Sequence, residues 1–204
     1  MKALIIVSLL FYVSLSFAQK DFGVSKDSNP TGINKGEIAP NFKAINQDGK
    51  QIDLYKILQS KNVVLLFYRG YWCPYCKKQL KAYSDSLSIL KEYNTEVIAI
   101  SPETKKGVNK MVKKAKVNYN IVSDIGGKIM KKYKLNFFVT KKYNNLIKAF
   151  TFKSLEKHNG QSKAELPIPA TYIIGKDKII KFKHFDKNYK KRASIREVVS
   201  KLVK

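Results

Sequence analysis

The sequence predicts an α/β protein with a central sheet flanked by helices and a β-hairpin ahead of it. Three observations carry that expectation. Residues 63–68 are β-branched, aliphatic or aromatic and uncharged, which suits a central strand covered on both faces. Beyond Cys76 the apolar period becomes that of a helix, with Leu80, Tyr83, Leu87 and Leu90 on one stripe. The same order then recurs, with a buried strand at 96–100 followed by a helical stripe of Val108, Met111, Val112 and Ala115. Strand, helix, strand, helix implies βαβ units and a largely parallel sheet.

Taken in order, residues 1–18 read as an export signal. Lys2 is the only charge before Lys20, residues 3–15 are mostly apolar, and Ser16-Phe17-Ala18 offers a small-x-small cleavage site before Gln19. The apolar run is short for a membrane span. An exported protein, periplasmic or otherwise extracytoplasmic, is the expectation. There a lone cysteine pair needs a reductant if it is to turn over. Residues 19–35 are polar and rich in Gly, Ser, Asn and Asp, the composition of a flexible leader. Residues 36–204 then form a single domain without internal repeats.

Within that domain, 41–45 and 51–54 alternate at period two around Asp48-Gly49, a hairpin signal. Residues 54–58 suit a short helical turn. Ser101 and Pro102 resemble the cap and first position of the next helix. Residues 120–124 read as a short strand and loop, and 128–133 as a short helix. The stretch 136–165 is the least patterned: 146–152 fits a strand or a helix, and 154–163 a loop. Two prolines precede an apolar strand ending at Ile174, and 179–185 return as its antiparallel partner across a turn at 175–178. Ser194 and Glu197 make a capping box for a closing helix, whose apolar stripe is Ile195, Val198, Val199 and Leu202.

The chemistry concentrates in Arg69-Gly70-Tyr71-Trp72-Cys73-Pro74-Tyr75-Cys76. Cys73 falls near a helix N-cap, Pro74 takes the first helical position, and Cys76 lies one turn further in. Unpaired N–H groups and the positive dipole end favour thiolate there, so the Cys73 pKa is expected to fall below that of a free thiol. Arg69, Lys77 and Lys78 add positive potential. Thiolate attack resolved by a neighbouring thiol is the redox reading. A structural disulfide or half of a zinc site is the alternative, but zinc needs further ligands and the chain offers only His158 and His184. Both histidines fit surface positions. Trp72 and Tyr71 could shape a substrate surface, Arg69 could lower a thiol pKa or sit as a solvated turn cation, and Thr171 could be an ordinary strand residue.

Charge bounds the partners. The 204 residues carry 40 Lys plus Arg against 15 Asp plus Glu, a formal net charge of +25. Arginine occurs only at 69, 192 and 196, and the lysines are spread along the chain. That distribution argues against specific nucleic-acid binding and for weak association with anionic surfaces.

These motifs together resemble the thioredoxin-fold superfamily in its peroxiredoxin-like branch, the alkyl hydroperoxide reductase/thiol-specific antioxidant family. The resemblance runs from Gly36-Glu37-Ile38-Ala39-Pro40 to the C-terminus. It rests on the cysteine segment, on Ile100-Ser101-Pro102-Glu103-Thr104, on Ser123-Asp124, and on Leu166-Pro167-Ile168-Pro169-Ala170-Thr171-Tyr172; the tail 186–192 also looks like the family's. It implies a thioredoxin-like fold with a central mixed sheet. It further implies an antioxidant oxidoreductase whose Cys73/Cys76 dithiol cycles through a disulfide, with no cofactor beyond that pair. Hydroperoxide would be the substrate and a thioredoxin-like thiol protein the donor. The alternative is an exported thiol–disulfide oxidoreductase of the TlpA/ResA type. By analogy Pro169 would be a cis proline facing the sulfurs, and Trp72, Pro169, Arg69 and Thr171 would contact substrate. Thioredoxin logic makes Cys73 the exposed nucleophile and Cys76 the more buried partner, the assignment favoured here. Spacing from Phe67, however, puts Cys76 in the peroxidatic slot. Counted from Cys76, the family's Thr and Pro slots hold Cys73 and Arg69.

Overall fold

The computed structural model describes residues 22–203. The signal read at 1–18 lies outside them. A hairpin comes first, β1 (Lys43–Ile45) and β2 (Gln51–Asp53), antiparallel as its Asp-Gly turn requires. Then follow α1 (Leu54–Leu58), β3 (Asn62–Phe67), α2 (Pro74–Asp85), α3 (Leu87–Glu92), β4 (Thr95–Ser101) and α4 (Lys105–Ala115). The rest is β5 (Asn120–Ser123), α5 (Lys128–Lys132), β6 (Asn136–Phe138), α6 (Lys141–Thr151), α7 (Leu155–Asn159), β7 (Glu165–Pro167), β8 (Ala170–Ile174), β9 (Ile180–Phe185) and α8 (Ile195–Leu202).

The main sheet runs β5-β4-β3-β8-β9. β3, β4 and β5 are mutually parallel, whereas β8 and β9 are antiparallel additions, so the sheet is mixed. The pleat of β3 sorts its residues into two cores. Val63, Leu65 and Phe67 face α1, α5 and the hairpin side; Val64, Leu66 and Tyr68 face α2, α4 and α8. Both faces being covered explains why this strand carries no polar residue after Asn62. A third, smaller core lies under β6, α6, α7 and β7, around Phe137, Tyr143, Ile147 and Leu166. Both cysteines belong to the α2 core.

Several expectations are corrected. The single stripe from Leu80 to Leu90 is split at Ser86 into α2 and α3. The helix expected at Pro102 begins at Lys105 with Thr104 as N-cap, because Ser101 completes β4 and its Oγ accepts from the Glu103 amide. The 154–163 loop contains α7; of the two options for 146–152 the helix holds, as the end of α6 with Phe152 as its C-cap. The described part of the leader, 22–35, is strapped to the domain. Ser25, Thr31 and Gly32 amides donate to the Phe138 and Lys134 carbonyls, and Ile33 is buried. Backbone pairing, invisible in composition, fixes it. The Ile168–Pro169 bond is trans, as no peptide among the described residues is cis. Residues 168 and 169 link β7 to β8 in the main sheet, and trans is the lower-energy isomer.

Candidate functional site

The site is built where β3 hands over to α2. Cys73 is the N-cap of α2 in an extended conformation, and Pro74 opens the helix, as the spacing requires. The Cys73 amide donates to the Gly70 carbonyl at 3.1 Å, closing the turn of residues 70–73. Gly70 is needed for close approach: a Cβ there would collide with the Trp72 indole and stand 2.8 Å from Glu103 Oε1. The Tyr71 amide in turn donates to Glu103 Oε2 at 2.9 Å.

Both cysteines are free thiols and both are closed to solvent. Cys73 is therefore not the exposed member of the pair, since the turn and the tail cover it as fully as Cys76. Each sulfur has its own guanidinium. Arg69 Nη2 donates to Cys73 Sγ at 3.3 Å, and Arg192 Nη2 donates to Cys76 Sγ at 3.4 Å. Burial alone would raise the Cys76 pKa. The hydrogen bond from Cys73 and the charges of Arg192 and Arg69 outweigh it and hold Cys76 well below a free thiol. Cys73 goes the other way, pushed well up by burial, by its hydrogen bond to Cys76 and by the charge there. The pair gives up its first proton easily and its second with difficulty. The dipole acts on both sulfurs; the two arginines and the shared proton favour thiolate at Cys76, where the helix-terminus argument favours Cys73.

Arg69 is buried, not a solvated turn cation. Nη1 donates to the Tyr143 hydroxyl at 2.7 Å. Its guanidinium lies 3.5 Å from the Tyr189 ring centroid and 5.1 Å from that of Trp72. Burial disfavours its charge, but the two sulfurs and Tyr143 raise its affinity for the proton further, so it stays cationic. Arg192 is held from the other side, its Nη1 donating to Gln79 Oε1 at 3.0 Å and its Nε to the Tyr189 carbonyl at 2.7 Å. Gln79 Nε2 then donates to Thr171 Oγ1 at 3.3 Å.

Of the residues expected at the site, Cys73, Cys76, Arg69 and Trp72 come together. Thr171 reaches the sulfurs only through Gln79 and Arg192. Pro169 is buried one step beyond Ala170, which pairs with Phe67, so it abuts the strand end that launches the turn. Sequence reasoning passed over Arg192, Gln79, Tyr143, Tyr189 and Glu103. An arginine in a chain whose other cations are nearly all lysine was the available signal for Arg192, because a planar fork is chosen where two acceptors must be met at once. Glu103 is fully buried, Oε1 has no partner among the described residues, and burial lifts its pKa to about 8. His158 is likewise buried, with Nε2 3.0 Å from Thr151 Oγ1, which corrects its surface placement; burial and nearby lysines lower its pKa to about 4. Among the described residues no group of three or more His, Cys, Asp or Glu is placed to hold a metal ion.

Residues 35–183 match the model of the AhpC/TSA family. A wheat protein named "Peroxiredoxin Q, chloroplastic" is 37% identical over 101 residues, 50% of this chain and 46% of its own length. The Sedum lineare protein of the same name is 31% identical over 125 residues, covering 61% of this chain and 67% of its own. The chain spans about half the length of most curated relatives it matches. The crystal structure of peroxidoxin BcpB from Mycobacterium tuberculosis superposes with a TM-score of 0.66 at 17% identity, covering 84% of this chain and 97% of that one. Reduced Plasmodium vivax 2-Cys peroxiredoxin gives 0.62 at 19%, covering 85% and 81%. These likenesses establish the fold as that of the peroxiredoxins. The chloroplastic relatives contradict the expectation of an exported, periplasmic or extracytoplasmic protein. That expectation rested on the composition of one apolar run, which does not distinguish one N-terminal segment from another. The family match over most of the domain and the relatives' shared name agree: this chain belongs to the AhpC/TSA family of peroxiredoxin-like proteins.

Proposed function

We propose that the protein is a thiol peroxidase that reduces hydroperoxides through a Cys73/Cys76 dithiol–disulfide cycle, with electrons from a thiol donor. The observation that carries this reading is the first turn of α2, where two buried thiols three residues apart each meet a guanidinium. In this reading Cys76 attacks. Its thiolate attacks the terminal oxygen of the hydroperoxide; the S–O bond forms as the O–O bond breaks, and the other oxygen leaves, takes up a proton from water and departs as an alcohol or water. Cys76 is left as sulfenic acid. The Cys73 thiol then attacks that sulfur, the S–S bond forms, and hydroxide leaves with the Cys73 proton as water. A donor dithiol reduces the disulfide by exchange and is itself oxidised.

Arg192 and Arg69 stabilise the attacking thiolate and the charge developing on the leaving oxygen. Residues at the N-cap and one turn in lie roughly 5–6 Å apart at Cα, within the span of a disulfide. Trp72 stacks near the Arg69 guanidinium, Pro169 adjoins the end of β3 through Ala170, and Thr171 acts through Gln79 by fixing the Arg192 fork. The donor class follows a yeast mitochondrial 1-Cys peroxiredoxin of the same fold, whose thiol is resolved via glutathione/thioredoxin systems. Exchange with protein disulfides gains nothing from relatives that are named peroxiredoxins.

The test is stopped-flow consumption of one equivalent of hydrogen peroxide by the reduced protein. Wild type should react orders of magnitude faster than free cysteine, Cys73→Ser should react once and stop at a dimedone-trapped sulfenic acid, and Cys76→Ser should be inert. A wild-type rate like that of free cysteine overturns the reading.

A further inference from the structure

The α6 helix has two faces with different duties. Inward, Tyr143 and Ile147 are buried, and Tyr143 reaches Arg69. Outward, Lys142, Leu146 and Phe150 follow at four-residue spacing on one stripe. Leu146 is 48% exposed, Phe150 77% and Phe152, just past the helix end, 93%. Phe152 holds a left-handed conformation (φ 56°), unusual for an aromatic residue, and leaves its ring in solvent. Nothing within the described fold covers these three side chains.

The charge around them is mostly of one sign, with Glu156, which accepts from Asn144 on α6, the exception. Between Asp124 and Glu156 the chain has no acidic residue and eight lysines, at 128, 131, 132, 134, 141, 142, 148 and 153. Lys141, Lys142 and Lys148 are exposed on α6 itself. Large apolar tips within a field of lysines form the pattern of an interfacial helix, in which the tips enter the acyl boundary and the ammonium groups stay at headgroup level. We infer that the outer face of α6, through Leu146, Phe150 and Phe152, docks on an anionic lipid surface.

A lipid surface fits better than a folded acidic partner for two reasons. The outer face is the convex side of a helix, which offers tips but no concavity to grip a partner's side chain. Its cations are all lysine, mobile point charges suited to a fluid headgroup layer, where a specific carboxylate partner favours arginine forks. Because Tyr143 shares the helix, docking would sit one hydrogen bond from Arg69 without occupying the cysteine site.

Docking of this kind does not depend on peroxidase activity, and vesicle flotation of the full-length protein tests it. The protein should float with phosphatidylcholine vesicles containing phosphatidylglycerol, stay behind with phosphatidylcholine alone, and be released by high salt. Phe150→Ser/Phe152→Ser should cut the bound fraction about tenfold by removing the two aromatic tips. Both positions are exposed, so the variant should fold, and unchanged circular dichroism verifies this. Phe150→Trp should gain fluorescence quenching by brominated lipid that the wild type, with its single Trp72, lacks. Equal flotation of wild type and the double serine variant would put the contact elsewhere and overturn the inference. So would absence of flotation on the anionic vesicles, or a concentration-dependent dimer abolished by the same variant, which would make a second copy the occupant.

Discussion

The first turn of α2 and the outer face of α6 are both positively charged, yet they use that charge in opposite ways. At α2 Arg69 is buried and Arg192 half-buried, each aimed at one sulfur and held by stacking or a second hydrogen bond. At α6 the cations are lysines in solvent around uncovered apolar tips. A buried cation has lost its hydration and must recover it in directed contacts, so geometry decides what it does. An exposed one is screened and acts only through numbers. In this chain residue type follows that division, with two of the three arginines at the sulfurs and lysine nearly everywhere else.

The comparison breaks most visibly if the directed contact is removed without the charge. Arg192→Lys keeps the cation but cannot meet Gln79 and Cys76 together. Losing that directed contact should let the Cys76 pKa rise and weaken stabilisation of the charge on the leaving oxygen, slowing peroxide reduction roughly tenfold to a hundredfold. Lys142→Glu/Lys148→Glu, which reverses two charges on α6, should leave that rate unchanged. Equal effects on peroxide turnover would erase the distinction between the two regions.

Glu103 sharpens it next. This buried carboxyl has no cation in contact, and its pKa is raised to about 8. The folded state therefore holds a proton that the unfolded state has lost, so its contribution to stability falls as pH rises from the ordinary carboxyl range to about 8. Glu103→Gln should stabilise the protein at pH 8 on the order of 3 kcal/mol and have little effect near pH 4, as measured by denaturant unfolding. A variant no more stable at pH 8 than at pH 4, relative to wild type, would contradict the carboxyl's assigned state. A smaller effect belongs to Gly70→Ala, whose methyl group meets Trp72 and Glu103. It should cost about 1–3 kcal/mol in the same unfolding assay.

The sheet was largely legible because its signals are local. Period-two and uncharged runs mark β3, β4, β8 and β9, and Asp48-Gly49 marks the hairpin. Cys73, Pro74 and Cys76 at the start of α2 were equally plain, since capping chemistry is written within four residues. What failed was non-local. The strap at 22–35 is held by the carbonyls of Lys134 and Phe138, over a hundred residues away, and polar composition gives no hint of that partner. Arg192 comes to Cys76 across 116 positions, and Tyr143 to Arg69 across 74. The relative acidity of the two thiols depends on those distant groups, so the helix terminus alone pointed to Cys73.

The most direct measurement is the thiolate titration of Cys73→Ser and Cys76→Ser, followed by ultraviolet absorbance. Serine keeps a hydroxyl donor beside the remaining sulfur. The account predicts that Cys73→Ser, which leaves Cys76, titrates well below a free thiol, and that Cys76→Ser, which leaves Cys73, does not. A low-pH transition in Cys76→Ser and none in Cys73→Ser would contradict it, and would return the nucleophile to the helix N-cap.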